Sequence, residues 1–173
     1  MDLLLHICCG PCLIYPFKKL KEKGLNLKGF YYNPNIHPLE EFKRRRGALE
    51  TLNKDFALEI ETPQYNETEF YKAVGAQEEK PLRCLSCYML RLRKTASAAR
   101  KNGILNFSTT LLVSPYQDHE KLKEIGNRVA GEFNLNFYYE DFRPGFRDAY
   151  KEARKKKLYL QNYCGCKYSN EKK

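Results

Sequence analysis

Leu3-Leu4-Leu5-His6-Ile7-Cys8-Cys9-Gly10-Pro11-Cys12 opens the chain, and its reading decides the fold. Leu3–Ile7 is a short apolar run without alternation, the pattern of a strand buried on both faces of a parallel sheet. Gly10 and Pro11 break it. Leu13, Tyr15, Phe17 and Leu20 then recur with helical spacing until Gly24. A buried strand feeding a helix through a tight loop is the first half of a βαβ unit. In a doubly wound sheet that loop lies at the carboxyl edge of the strands, where ligands collect. Here it carries three cysteines in place of a glycine fingerprint or a glycine-lysine phosphate loop, so no nucleotide cofactor is expected there.

Outward from this unit the alternation continues. Lys28–Tyr32 reads as a second strand, closed by Asn33-Pro34-Asn35, and a charged helix runs from about Leu39 to Asn53. Ala57–Glu61 is predicted as a third strand, Glu67–Val74 as a short helix and Pro81–Arg100 as a long one carrying Cys84 and Cys87 in its first turns. Asn106–Val113 is the fourth predicted strand, Glu120–Phe133 a helix capped by Asp118 or a neighbour, Leu135–Glu140 the fifth strand and Phe146–Leu158 a basic helix. The expectation is a single α/β domain over residues 1–173, a doubly wound, mostly parallel sheet of about five strands with a cysteine-containing C-terminal tail. The N-terminus has no basic flank and reads as a strand rather than a signal peptide. No run approaches the roughly 18 apolar residues of a membrane span. A cytoplasmic location without membrane partners is predicted.

Seven cysteines in 173 residues, about 4%, fall short of the roughly 8–10% of a disulfide scaffold. In a reducing compartment, clustered cysteines serve more often as metal ligands or redox groups. Cys84 and Cys87 form a C-x2-C pair at a helix start, where free N–H groups favour thiolates. Spacing matches them with Cys9 and Cys12, and four thiolates suit either zinc or an iron–sulfur cluster. Cys164-Gly165-Cys166 would close only a small strained ring, which suits an easily reduced disulfide or a pair of further ligands. His6 is read as a core histidine, His37 as part of a turn, and His119 as a capping or surface residue.

The formal net charge of +10 points to a polyanionic partner, nucleic acid first. Lys43-Arg44-Arg45-Arg46 and Arg154-Lys155-Lys156-Lys157 lie on predicted helices, and Arg44, Arg45, Arg46, Lys155 and Lys156 are the candidate phosphate contacts. Thirteen tyrosines and ten phenylalanines offer stacking surfaces for unpaired bases, although most must be core.

The opening strand running into Cys-Cys-Gly-Pro-Cys resembles the cobalamin-independent epoxyqueuosine reductase family. So do Tyr32-Asn33-Pro34-Asn35-Ile36-His37-Pro38, Arg83-Cys84-Leu85-Ser86-Cys87-Tyr88, Thr109 to Tyr116 and Tyr163-Cys164-Gly165-Cys166-Lys167-Tyr168-Ser169. The resemblance implies a fold like that of adenine-nucleotide α-hydrolases (HUP-like) without nucleotide chemistry. It also implies reduction of epoxyqueuosine to queuosine at the tRNA wobble position, with an external electron donor. By that resemblance Cys8, Cys9, Cys84 and Cys87 hold a 4Fe–4S cluster, and Cys164 and Cys166 are the redox-active pair. Cys12 is then left for an additional iron, with Asp141 as a partner ligand. Two alternatives stay open: a zinc-stabilised tRNA-binding module without catalysis, and a cluster-dependent tRNA thiolase.

Overall fold

The computed structural model describes residues 1–170; the last three of the expected 1–173 domain lie outside the described residues. Five parallel strands form one sheet in the order β3-β2-β1-β4-β5: β1 Asp2–His6, β2 Asn26–Phe30, β3 Ile60–Glu61, β4 Asn106–Thr109 and β5 Asn136–Phe137. The helices are α1 Gly10–Glu22, α2 Leu39–Phe56, α3 Glu67–Val74, α4 Leu82–Lys101, α5 His119–Phe133, α6 Phe146–Lys155 and the short α7 Lys167–Asn170. This is the predicted doubly wound arrangement. β1 is central because Leu3, Leu4 and Leu5 are all fully buried, as an unbroken apolar run requires. The winding reverses between β1 and β4, so the topological switch point opens beyond Cys8 and Thr110. Thr110 Oγ1 ties the two loops together, accepting from Cys8 N at 3.0 Å and donating to Cys8 Sγ at 3.2 Å.

Local chemistry sets where each element stops. Cys9 caps α1, its sulfur accepting from Cys12 N, and Gly10 lets α1 approach α2, since a Cβ there would lie 3.2 Å from the Ala48 backbone. The edge strands are shorter than predicted. Ala57 adopts a left-handed conformation at the end of α2, and Asn53 bonds both Leu58 N and Leu58 O. That consumes the first half of the expected third strand. β4 ends at Thr109 because its hydroxyl caps a 3-10 turn over Thr110–Val113. After Tyr138 N bonds Phe107 O, β5 therefore has no neighbour to continue along. α6 stops at Lys155, three residues early, as Lys157 turns to positive φ and Leu158 N closes back on Ala153 O.

Gly126 of α5 sits against the Phe137 ring, where a Cβ would approach to 2.3 Å, whereas Gly131 of the same helix faces open space. Gly126→Ala should cost about 1–3 kcal/mol through overpacking. Gly131→Ala should gain roughly 0.5–1 kcal/mol by removing glycine from a helix interior. Thermal unfolding of the two variants should therefore move in opposite directions from the parent protein.

Candidate active site

A cavity of about 660 Å³ opens at the switch point, and six of the seven cysteines line it. The β1–α1 turn supplies Cys8 and Cys12, the first turns of α4 supply Cys84 and Cys87, and the C-terminal segment supplies Cys164 and Cys166. Cys9 lies behind Cys8 and Cys12, buried to 1% exposure. Three segments far apart in sequence are thus brought to one place by the parallel topology.

The sulfurs of Cys8, Cys9 and Cys12 all lie within 4.8 Å of one another. Cys9 Sγ accepts from Cys12 N at 3.3 Å and from Gln161 Nε2 at 2.8 Å. Hydrogen bonds from Cys12 and Cys9, together with Arg91 and Thr110, hold the Cys8 thiol well below the usual range. Burial holds the Cys9 thiol up, and its hydrogen bond to Cys8 does the same for Cys12. Cys8 is thus the sulfur of the trio that ionises most readily, and a cation among the three would favour ionisation of all of them. Tetrahedral thiolates about 2.3 Å from a metal stand roughly 3.8 Å apart, and Cys8 Sγ and Cys9 Sγ are 3.9 Å apart. This trio can hold a metal ion. With Cys84 and Cys87 lining the same cavity, the donor set is all sulfur, as a cluster site requires.

Helix α4 does not lower its cysteines as the sequence suggested. Burial wins over the helix terminus, raising Cys84 and pushing Cys87 up to about 11. The positive field comes instead from side chains. Arg45, Lys80, Arg83, Arg91 and Arg154 line the cavity, with no aspartate or glutamate among the lining residues. Arg91 is buried, donating to Asn33 Oδ1 at 2.7 Å.

Arg45 is a correction to the predicted phosphate contacts. It is only 3% exposed, because Glu41 pairs with its Nε at 2.7 Å and turns it inward. Its other nitrogens donate to Cys164 O at 3.1 Å and Tyr163 O at 3.0 Å, so it clamps the C-terminal segment rather than meeting solvent. Arg44 lies over the Tyr159 ring, Arg46 pairs with Glu50, Lys156 pairs with Asp55, and Lys155 is exposed in the last turn of α6. From the second basic run it is Arg154 that lines the cavity. Asp141 lies outside the cavity lining; its carboxylate is bound by Arg143 at 2.7–2.8 Å.

The same segment is held at Gly165, whose carbonyl accepts from His37 N at 2.7 Å, and at Lys167, whose N–H donates to His37 Nδ1 at 3.3 Å. Gly165 has φ +110, and a Cβ there would approach Ile36 to 2.9 Å, so the turn between the two cysteines requires glycine. The two thiols are unequal. A hydrogen bond from Cys166, aided by Ser169, lowers exposed Cys164 to about 5, while buried Cys166 is raised by the same bond. His6 is the satisfied core histidine expected, bonded to Thr109 Oγ1 and Tyr32 O. His37 is a buried anchor stacked on Tyr71 at 5.1 Å, beyond the simple turn residue predicted. His119 is buried too, its Nε2 3.2 Å from Ser114 O, in place of the expected capping or surface role; Asp118 is the cap. Gln161 contacts Cys9 and carries no motif by which sequence could single it out; Thr110 lies in the Thr109-to-Tyr116 stretch and Arg91 on the cysteine helix, but their action on sulfur is not readable there.

Comparison with known proteins agrees with this arrangement. The family model for epoxyqueuosine reductase QueH matches residues 3–172. The epoxyqueuosine reductase QueH of Dehalococcoides mccartyi is 38% identical over 168 residues, covering 96% of this chain and 91% of that protein. Its namesake from Thermotoga maritima is 33% identical over 177 residues, covering 96% and 88%. Among solved structures, a "predicted subunit of tRNA methyltransferase" from Methanocaldococcus jannaschii superposes with a TM-score of 0.58 at 12% identity, covering 89% of this chain and 74% of that one, a likeness of fold. A doubly wound sheet with cysteines gathered at its switch point, matched over nearly its whole length, makes this chain a member of the epoxyqueuosine reductase QueH family.

Proposed function

We propose that the protein reduces the epoxide of epoxyqueuosine, carried at the wobble position of a tRNA anticodon loop, to the alkene of queuosine in the cytoplasm. One observation carries this reading beyond family membership: six cysteines from three distant segments line one cationic cavity. Among the described residues no helix is long and apolar enough to cross a membrane.

The reaction needs two electrons and two protons, and the epoxide oxygen leaves as water. Two thiols becoming one disulfide supply that balance, with Cys164 and Cys166 as the pair and an external dithiol or low-potential electron donor restoring them. Their inequality supports the assignment: a low-pKa exposed thiol next to a high-pKa buried one gives an attacking and a resolving partner. Cys8, Cys9, Cys84 and Cys87 would hold a 4Fe–4S cluster, leaving Cys12 for an additional iron; Asp141, engaged by Arg143, supports that second site poorly. Bound there, such a cluster supplies one-electron relay and a Lewis-acidic iron. The chain's own contribution is the field. Buried Arg91 favours the thiolates of Cys8 and Cys87, and Arg154 and Lys80 give the cavity the charge that draws a phosphate backbone. To enter, the wobble nucleotide must be splayed from its loop.

The inequality of the pair can be read directly. With a free thiol near 8.5 and Cys164 near 5, iodoacetamide at pH 6 should label Cys164 well ahead of Cys9, Cys12, Cys84, Cys87 and Cys166, whose thiols are all raised. The labelling rate should level off above pH 6; a rate still climbing through pH 8–9 would contradict the assignment.

The function itself is tested by anaerobic purification with iron, sulfide and visible absorbance measured together, followed by turnover of epoxyqueuosine-containing tRNA. The expected protein is coloured and converts the epoxide to the alkene. Serine at both Cys164 and Cys166 should abolish turnover and leave the absorbance intact. A colourless, zinc-only protein without turnover would instead mark a tRNA-binding module.

A further inference from the structure

We propose that Tyr116 is the stacking platform for the splayed nucleobase at the mouth of the cysteine cavity, and so a positioning residue for the substrate. The inference rests on the proposed function and adds to it the group that holds the heterocycle.

Tyr116 is 84% exposed, more than any other exposed large hydrophobic residue; Met1, at 58%, and Leu105, at 57%, come next. A single exposed aromatic is ordinary on a surface. This one, however, lines the cavity that holds the six cysteines, in the loop that leaves the carboxyl end of β4. The loop is fixed. Tyr116 N donates to Ser114 Oγ at 3.2 Å, Gln117 N to Ser114 O at 3.4 Å, and Tyr88 OH to Gln117 Oε1 at 2.7 Å. Asp118 N then donates to Tyr88 OH at 3.3 Å, joining the loop to α4. The Tyr116 ring stands nearly perpendicular to Phe146, at 83° and 6.0 Å between centroids. Phe146 touches one edge of the ring and leaves its faces open.

The surroundings specify the ligand class. An apolar protein partner would call for a contiguous apolar patch. Here Tyr116 is the exposed ring among the aromatics of a cavity lined by lysine and arginine side chains and by no carboxylate. A flat ring beside cations suits a nucleotide, with the base on the ring and the phosphates on Lys80 and Arg154. A base held at the rim leaves its epoxide-bearing substituent to extend inward toward the sulfurs.

The test uses metal-loaded protein and an anticodon stem-loop carrying epoxyqueuosine. Tyr116→Ala should raise KM about tenfold or more with kcat within about twofold, and Tyr116→Phe should stay near the parent, since stacking needs the ring and not the hydroxyl. The dissociation constant of a fluorescent stem-loop should rise in step with KM, and free queuosine nucleoside should weaken as a competitive inhibitor by a similar factor. An unchanged KM in Tyr116→Ala, a Phe variant as poor as Ala, or unaltered inhibition by the nucleoside would each overturn the proposal. Parent protein that binds the stem-loop without reducing it would defeat the proposed function, while the dissociation constants would still decide the role of Tyr116.

Discussion

The organising constraint is the attraction between buried guanidinium groups and sulfur. Arg45, Arg83 and Arg91 are each 3–4% exposed, and an ion removed from water is costly unless opposite charge or hydrogen bonds meet it. Arg45 has Glu41. Among the described residues, Arg83 and Arg91 have no carboxylate within ion-pair distance; their partners are neutral groups such as Asn33, Ser169 and the Glu78 carbonyl. Arg91 faces sulfur instead: it favours the thiolate of Cys8, and it acts in the same direction on Cys87, where burial still holds the thiol up. Each side of this arrangement makes the other tolerable. Arg91 favours ionised sulfur at Cys8, and an ionised sulfur lowers the cost of burying the cation.

That mutual dependence explains why the C-terminal segment belongs to the site. Its carbonyls at Tyr163, Cys164 and Gly165 are taken by Arg45 and by the backbone of His37. The segment is held through its backbone, which leaves the sulfur atoms of Cys164 and Cys166 unencumbered by the anchoring bonds. Gly165 supplies the turn, and the Glu41–Arg45 pair supplies the grip.

The fold was largely legible because its signals are local. The unbroken Leu3–Leu5 run marks a central strand, and Gly10-Pro11 and Asp118 mark helix starts. The edges were misread where a side chain redirected the backbone, as Asn53 does beyond α2 and Thr109 does beyond β4. The cysteines were legible as a set, since clustering is visible in one dimension. Their supporting residues were not. Nothing in the run Lys43-Arg44-Arg45-Arg46 distinguishes the one arginine that turns inward; that depends on helical phase and on Glu41 one turn earlier. The contacts that Gln161 and Thr110 make with sulfur became visible only when distant loops met.

Cys9 holds two positions at once. Its sulfur receives the amide of Cys12 as the first-turn acceptor of α1, and it belongs to the trio able to take a metal. Amide-to-sulfur hydrogen bonds withdraw electron density from a thiolate and make any metal bound to it easier to reduce. The start of a helix would thereby act as a tuning element: the electron affinity of any metal held by the trio would be written partly into backbone geometry, where no side-chain replacement elsewhere in the cavity can reach it.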